Sequence, residues 1–456
     1  MSTTDRRSIC RCLALACAVF VLPAAGVAAS EQSSANAGGN DAYYGNYRVS
    51  RDHELGIQRF ITDAGESVAL IADYQSGVVR LLFPVSETEF VMGPGFAVQS
   101  PAELHVRFVK DAQGNVTGIS LRSAVGATNF AERVPVAEEA VEIPHGDTRL
   151  AGTLFIPPGK GPHPAIILLH GSGPLTRYSF GPYPRFFASL GLAVLIFDKR
   201  GTGASTGTRL DASTGAQSPL PAAYYPDDLA NDALAVFAFL QRRPEINPKE
   251  IGFWGSSEGG MLATQVAARN KDVAFSINSS GFMGPLWETV LYQAGAIPRS
   301  HGLSAAQAEE AREFAKLWMR VARTGEGYDQ FISQREEIRK ANKAWLLCYF
   351  SKEYSSLEQM RWDWDHILSF SPLPALGNVT SPVLGVFGEL DPLTDASDAA
   401  SNMRKVLSGA GHGDFTIKIF PNAGHSLGEM PSGSRMAPGV FEMLRSWLLK
   451  RVHVAE

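Results

Sequence analysis

Cysteine is scarce in this 456-residue chain, with four in all, and three of them (Cys10, Cys12 and Cys17) fall near the N-terminus. A disulfide framework is thereby excluded, and no Cys/His cluster has the spacing of a zinc site. The remaining one, Cys348, sits in "AWLLCYF" among large apolar residues, where a buried small hydrophobe is expected rather than a nucleophile. Charge is sparse as well: 19% of residues are Asp, Glu, Lys or Arg, and the net charge is −5. Such a balance gives no basic footprint for nucleic acid. Nor is there a long hydrophobic run. The most apolar stretch, Leu13 to Val27, falls short of the ~20 residues that span a bilayer. What the chain has instead is a 45% apolar content, enough for a sizeable core, and a length that suits two domains.

The N-terminus has the layout of a secretory signal peptide. Arg6, Arg7 and Arg11 precede the apolar run, and the small residues Val27 and Ala29 end it, so cleavage is expected after Ala29. A twin-arginine export signal at Arg6-Arg7 fits the flanking residues poorly, and little apolar sequence precedes Cys17 for a lipoprotein start. A secreted or periplasmic mature chain without a membrane span follows as the expectation. Residues 30–42, small, polar and glycine-rich, read as a linker.

From 43 to 137 the pattern has period two. Leu104, Val106 and Phe108 share one face, and "AQGN" turns the chain into "VTGISLRS", a hairpin signal. "SVALIAD", "VVRLLFPV" and "TEFVMG" are further strands. We expect a β-rich domain here with no convergent catalytic residues. Its lone histidines, His53 and His105, are read as structural or solvated.

From 141 to the end of the chain, strands alternate with helices. "RLAGTLFIP", "PAIILLH", "LAVLIFD", "IGFWG", "VAFSIN", "SPVLGVFG" and "DFTIKIFP" are strands. "PRFFASLG", "DDLANDALAVFAFLQRR" (capped by Asp227 or Asp228), "SEGGMLATQVAAR" and "PGVFEMLRSWLLKRV" are helices. That rhythm predicts an α/β fold whose mostly parallel sheet is flanked by helices. Residues 282–372 interrupt it, and they exceed the ~12–15 residues of a structureless loop. Ser304 with Gln307 forms a capping box and Gly325 offers a stop. Between them Ala308, Ala311, Phe314, Leu317, Trp318 and Val321 recur at helical spacing. "YDQFISQREEIRKANKAWLLCYF" predicts a second helix, and its aromatics either cover a pocket or form the insertion's own core.

Two adjacent serines lie in "IGFWGSSEGGML". A G-x-S-x-G frame fits only Gly255, Ser256, Ser257, Glu258 and Gly259, which selects Ser257 as the nucleophile of a sharp strand-to-helix turn. The turn aims the Glu258 backbone N–H at a developing oxyanion. Asp391, just past the strand ending at Gly388, and His425, after the next strand, fall on the same sheet edge as that turn. Ser257, Asp391 and His425 follow the chain order of an α/β-hydrolase triad. Asp395 is the rival acid but lies further from its strand. His412 is the rival base but precedes its strand. A second oxyanion donor is expected after "PAIILLH", from the backbone N–H of Ser172 or, second, of Gly173. His170 is read as structural.

The segments "HGSGP", "LAVLIFDKRGTGAST", "IGFWGSSEGGML", "GELDP" and "NAGHSL" together resemble secreted serine esterases of the α/β-hydrolase type that carry a small β-rich, lipocalin-like domain ahead of the catalytic one. The resemblance covers 141 to the C-terminus except the helical insertion, and it implies a Ser257–His425–Asp391 triad acting on small, short-chain acyl esters with no cofactor or metal. Related aminopeptidases share these elements, so an amide bond is the alternative. A catalytically idle binding protein on the same fold is the other class, and the intact triad argues against it. "DKRGTGASTG" misses the G-x-G-x-x-G spacing of a nucleotide loop, and in this hydrolase type Asp198, Lys199 and Arg200 read as a structural ion-pair turn. The Glu258 carboxylate is expected to point away from substrate and bond locally.

Overall fold

The computed structural model describes residues 41–62, 65–207, 226–346, 354 and 356–454. The predicted leader, nearly all of the predicted linker, and Cys348 lie outside them.

The first half of the β-structure is a closed antiparallel barrel. Its strands are β1 (Gly45–Ser50), β2 (His53–Ile61), β3 (Ser67–Asp73), β4 (Val79–Pro84), β5 (Glu89–Met92), β6 (Leu104–Lys110), β7 (Val116–Ser123) and β8 (Thr128–Val134). β1 closes the ring by pairing with both β2 and β8, which leaves no exposed sheet edge. Strand alternation sends Val106, Phe108, Ile119 and Ala131 inward. Tyr43 stacks on Phe108 at 4.2 Å in that interior, so the barrel holds a packed core. The expected hairpin is β6–β7. His53 bonds the Asp73 carboxylate at 3.0 Å, a structural contact.

The remaining strands are β9 (Ala137–His145), β10 (Thr148–Ile156), β11 (His163–Leu169), β12 (Ala193–Phe197), β13 (Ile246–Ser256), β14 (Ser276–Ser279), β15 (Val383–Gly388) and β16 (Phe415–Phe420). They form one sheet in the order β16-β15-β14-β13-β11-β12-β10-β9. β9 and β10 run antiparallel to their neighbours, and the other six strands are parallel.

β11 shows why its sequence is continuously apolar. Ala165, Ile167 and Leu169 enter the core on one face, while Ile166 and Leu168 enter the core on the other. A strand covered on both sides cannot afford a polar alternate. Helices Asp227–Gln241, Glu258–Arg269 and Ala396–Gly409 cover the first face. Helices Tyr183–Ser189 and Val440–Leu448 cover the second, where Leu70, Tyr74 and Leu81 of the barrel join them.

The insertion between β14 and β15 has its own core. Helix Ala305–Thr324 carries the Ser304–Gln307 capping box and ends on left-handed Gly325. All six of its expected apolar positions are buried. Phe314, Trp318, Phe331, Trp345 and Tyr354 pack among themselves. The predicted second helix is shorter than its apolar pattern: it spans Tyr328–Lys340 and stops at Ala341, with Asn342 at φ 48°. A left-handed residue cannot continue a right-handed helix. Nor do Asp227 or Asp228 cap their helix. Pro226 holds that position, and the two aspartates lie in the first turn, where negative charge favours the helix dipole.

Candidate active site

β13 ends at Ser256, which stays in register opposite Ser279. The next residue, Ser257, sits at φ 58°, ψ −123°, and helix Glu258–Arg269 starts immediately after it. A serine at positive φ costs of order 1–3 kcal/mol and persists only where the surroundings impose it. Here two glycines do so. A Cβ on Gly255 would lie 2.0 Å from the Gly259 carbonyl oxygen, and one on Gly259 would lie 2.1 Å from that of Leu169. Any larger residue would push strand and helix apart and relax the turn.

Asp391 follows β15 and is buried. One carboxylate oxygen accepts the Leu393 and Thr394 backbone N–H groups at 2.7 and 3.1 Å. The other lies 2.7 Å from His425 Nδ1. An ionised carboxylate only accepts, so Nδ1 carries the proton and Nε2 keeps its lone pair. His425 Nε2 is buried and has no hydrogen-bond partner among the described residues. No hydrogen bond therefore joins it to Ser257 here, and such contacts commonly tighten only when substrate binds. The loops that carry Asp391 and His425 meet because Gly388 ends β15: a Cβ there would sit 2.5 and 2.3 Å from the Ala423 and Gly424 carbonyl oxygens.

The loop after β11 lies against the serine. A Cβ on Gly171 would be 3.4 Å from Ser257 Cβ. The backbone N–H groups of Ser172, Gly173 and Glu258 have no backbone acceptor among the described residues. His170, which opens this loop, is buried against Phe180 at 4.4 Å. Burial, and after it the Lys199 charge, pushes its pKa down to about 3. It is thus a neutral, structural packing residue, and its buried Nε2 has no hydrogen-bond partner among the described residues.

Glu258 bonds further afield than the sequence suggests. Its buried carboxylate pairs with Lys199 Nζ at 2.5 Å, across 59 positions of sequence, and the same ammonium donates to the Gly171 carbonyl at 3.1 Å. The neighbours of Lys199 are paired too: Asp198 with Arg177, and Arg200 with Asp228 and Asp232.

Both rivals are committed elsewhere. Asp395 accepts the Ser397 and Asp398 N–H groups as the cap of helix Ala396–Gly409. His412 bonds the Ser381 carbonyl at 2.9 Å, ahead of β16.

Two residues of the insertion escaped the sequence. On helix Leu286–Ser300, Tyr292 donates its hydroxyl to the Asp391 carbonyl at 2.6 Å, and Gln293 donates to the Leu393 carbonyl at 2.9 Å. Burial, followed by Asp391, Asp395 and Asp398, raises the Tyr292 pKa, which keeps it a donor. A Tyr-Gln pair on a helix carries no sequence signal for this role.

The sequence pattern of the Alpha/beta hydrolase family matches residues 166–434, more than half of the chain. The chain belongs to the alpha/beta hydrolase family. Among curated proteins it is similar to the esterase EstD of Thermotoga maritima, 27% identical over 180 residues (37% of this chain and 39% of that protein). It is also similar to acyl-coenzyme A thioesterase 2 of Rattus norvegicus, 28% identical over 169 residues (37% and 33%). The chain spans less than half the length of these curated relatives. Among solved structures, Pyrococcus furiosus esterase Pf2001 aligns at 16% identity and TM-score 0.42, covering 70% of this chain and 91% of that one. Mycobacterium smegmatis proline iminopeptidase aligns at 17% and 0.42, covering 69% and 98%. No helix among the described residues is long and apolar enough to cross a membrane.

Proposed function

We propose that the protein is a serine carboxylesterase that cleaves small, short-chain acyl esters through an acyl-enzyme on Ser257. The observation that carries this reading is the 2.7 Å bond between His425 Nδ1 and Asp391, which leaves Nε2 as the basic nitrogen. In this reading His425 Nε2 takes the Ser257 proton as Oγ attacks the ester carbonyl. Asp391 holds the tautomer and stabilises the imidazolium. The N–H groups of Glu258 and Ser172 hold the oxyanion, the first at a helix N-terminus that favours negative charge. The imidazolium then protonates the leaving alkoxide. Water, deprotonated by His425, releases the acid and restores Ser257. Esterase and thioesterase names among the relatives support an ester or thioester as the scissile bond.

The test is turnover of the purified chain and its Ser257→Ala variant on p-nitrophenyl acetate and butyrate, an acetyl thioester, and aminoacyl anilides. Ester turnover that falls by up to ~10⁶ in the variant supports the reading. Anilide turnover matching that of esters would make it a peptidase, and undiminished ester turnover in the variant would remove the nucleophile. Export belongs to the same proposal: N-terminal sequencing of the exported protein should begin at Ser30.

A further inference from the structure

The buried pair Lys199–Glu258 poses a physical problem. Their side chains are 4% and 1% exposed, and Glu258 Oε1 has no hydrogen-bond partner among the described residues. Desolvating two charges for one ion pair rarely adds stability, since an apolar pair of similar volume does as well or better. The pair's position suggests what it supplies. Among the described residues, Lys199 Nζ donates to the Glu258 carboxylate and to the Gly171 carbonyl oxygen. The Gly171 carbonyl belongs to the same peptide unit as the Ser172 N–H. In a trans peptide the C=O and N–H point opposite ways. An ammonium anchoring the oxygen from behind therefore turns the Ser172 N–H away from itself, and a charged donor on the oxygen also polarises that N–H. Glu258, the ammonium's other partner, owns the backbone N–H at the first position of the helix after Ser257.

We propose that Lys199 is a positioning residue for the oxyanion hole. It holds the Gly171–Ser172 peptide in its donating orientation and ties it, through Glu258, to the start of the nucleophile helix. One buried cation thus sets two donors that come from segments about 85 residues apart in sequence. The proposal rests on the esterase reading above and adds to it a residue that need not touch substrate.

The test uses the full chain with Lys199→Met and Glu258→Gln together, which removes both charges and leaves no unpaired ion. Folding is checked by circular dichroism and thermal unfolding. Three quantities are then read: kcat, KM on p-nitrophenyl butyrate, and the inhibition constant of an alkyl trifluoromethyl ketone, which adds serine to give a tetrahedral oxyanion. The expected result is a folded protein with KM nearly unchanged and kcat lower by ~10–100-fold. Ketone binding should weaken by the same factor. A folded variant with wild-type kcat and ketone affinity overturns the proposal. If that variant does not fold, Lys199→Gln with Glu258→Gln is read the same way, and failure of both to fold assigns the pair to stability and also overturns it. A wild-type chain inert on every ester would defeat the esterase reading instead, while the ketone's affinity would still report on the hole.

Discussion

Asp391 and Asp395 lie in one loop and spend their carboxylates on different partners. Asp391 gives one oxygen to two backbone N–H groups and the other to His425. Asp395 gives a single oxygen to the first turn of helix Ala396–Gly409. In the proposed mechanism the first orients the base, while the second caps its helix, and mutation separates the two.

Asp391→Asn keeps a carbonyl that can accept the Leu393 and Thr394 N–H groups but lets the amide turn its NH₂ toward His425. The imidazole then holds its proton on Nε2, the wrong tautomer for taking one from Ser257. A loss on the order of 10⁴ in kcat is expected, measured in steady state beside an unfolding curve that stays close to wild type.

Asp395→Ala should do the reverse. Loss of the cap costs about 0.5–2 kcal/mol of stability, read by chemical unfolding, while ester turnover stays near wild type. A collapse of kcat with unchanged stability would exchange the roles of the two acids.

His170 gives a pH dependence that can be worked out in sign. Burial, with Lys199 next, holds its folded pKa at about 3, whereas in the unfolded chain it titrates near ~6.5. Between those values the unfolded state binds a proton that the native state refuses. Stability from this group is therefore whole above the unfolded value and is lost as pH falls through the window, by about 1.4 kcal/mol per pH unit. Unfolding free energies of wild type and His170→Phe, compared from pH 7.5 to 4.5, should converge and then cross in favour of the variant. Parallel curves would mean that the ring is not held neutral.

The parts of the site written in contiguous residues were legible in the sequence. The glycines around Ser257 define its turn because their missing side chains are a local requirement, and Asp391 and His425 could be placed because parallel strands end on one edge. The two faces of β11 were equally readable from its unbroken apolar run. Contacts between distant segments were not. Nothing in the spacing links Lys199 to Glu258 or Tyr292 to Asp391, since each pair is joined only when the sheet and its insertion fold. Alternation identified β3 to β7 of the barrel but not β1, β2 or β8, nor the β1–β8 pairing that closes the ring, because a period of two fixes which face a residue takes and not which neighbour its strand finds. Helix Leu286–Ser300 was missed because Pro285 precedes it and Pro298 lies in its last turn, both of which read as breakers.

The central claim, that Ser257 and not Ser256 is the nucleophile, is tested most directly by covalent labelling. An activated serine displaces fluoride from an alkyl fluorophosphonate and is left carrying a stable phosphonyl adduct. Peptide mass spectrometry with fragmentation between the adjacent serines should find that adduct on Ser257 alone, with loss of ester turnover in proportion to labelling. An adduct on Ser256, or complete inactivation with Ser257 unmodified, would contradict the account.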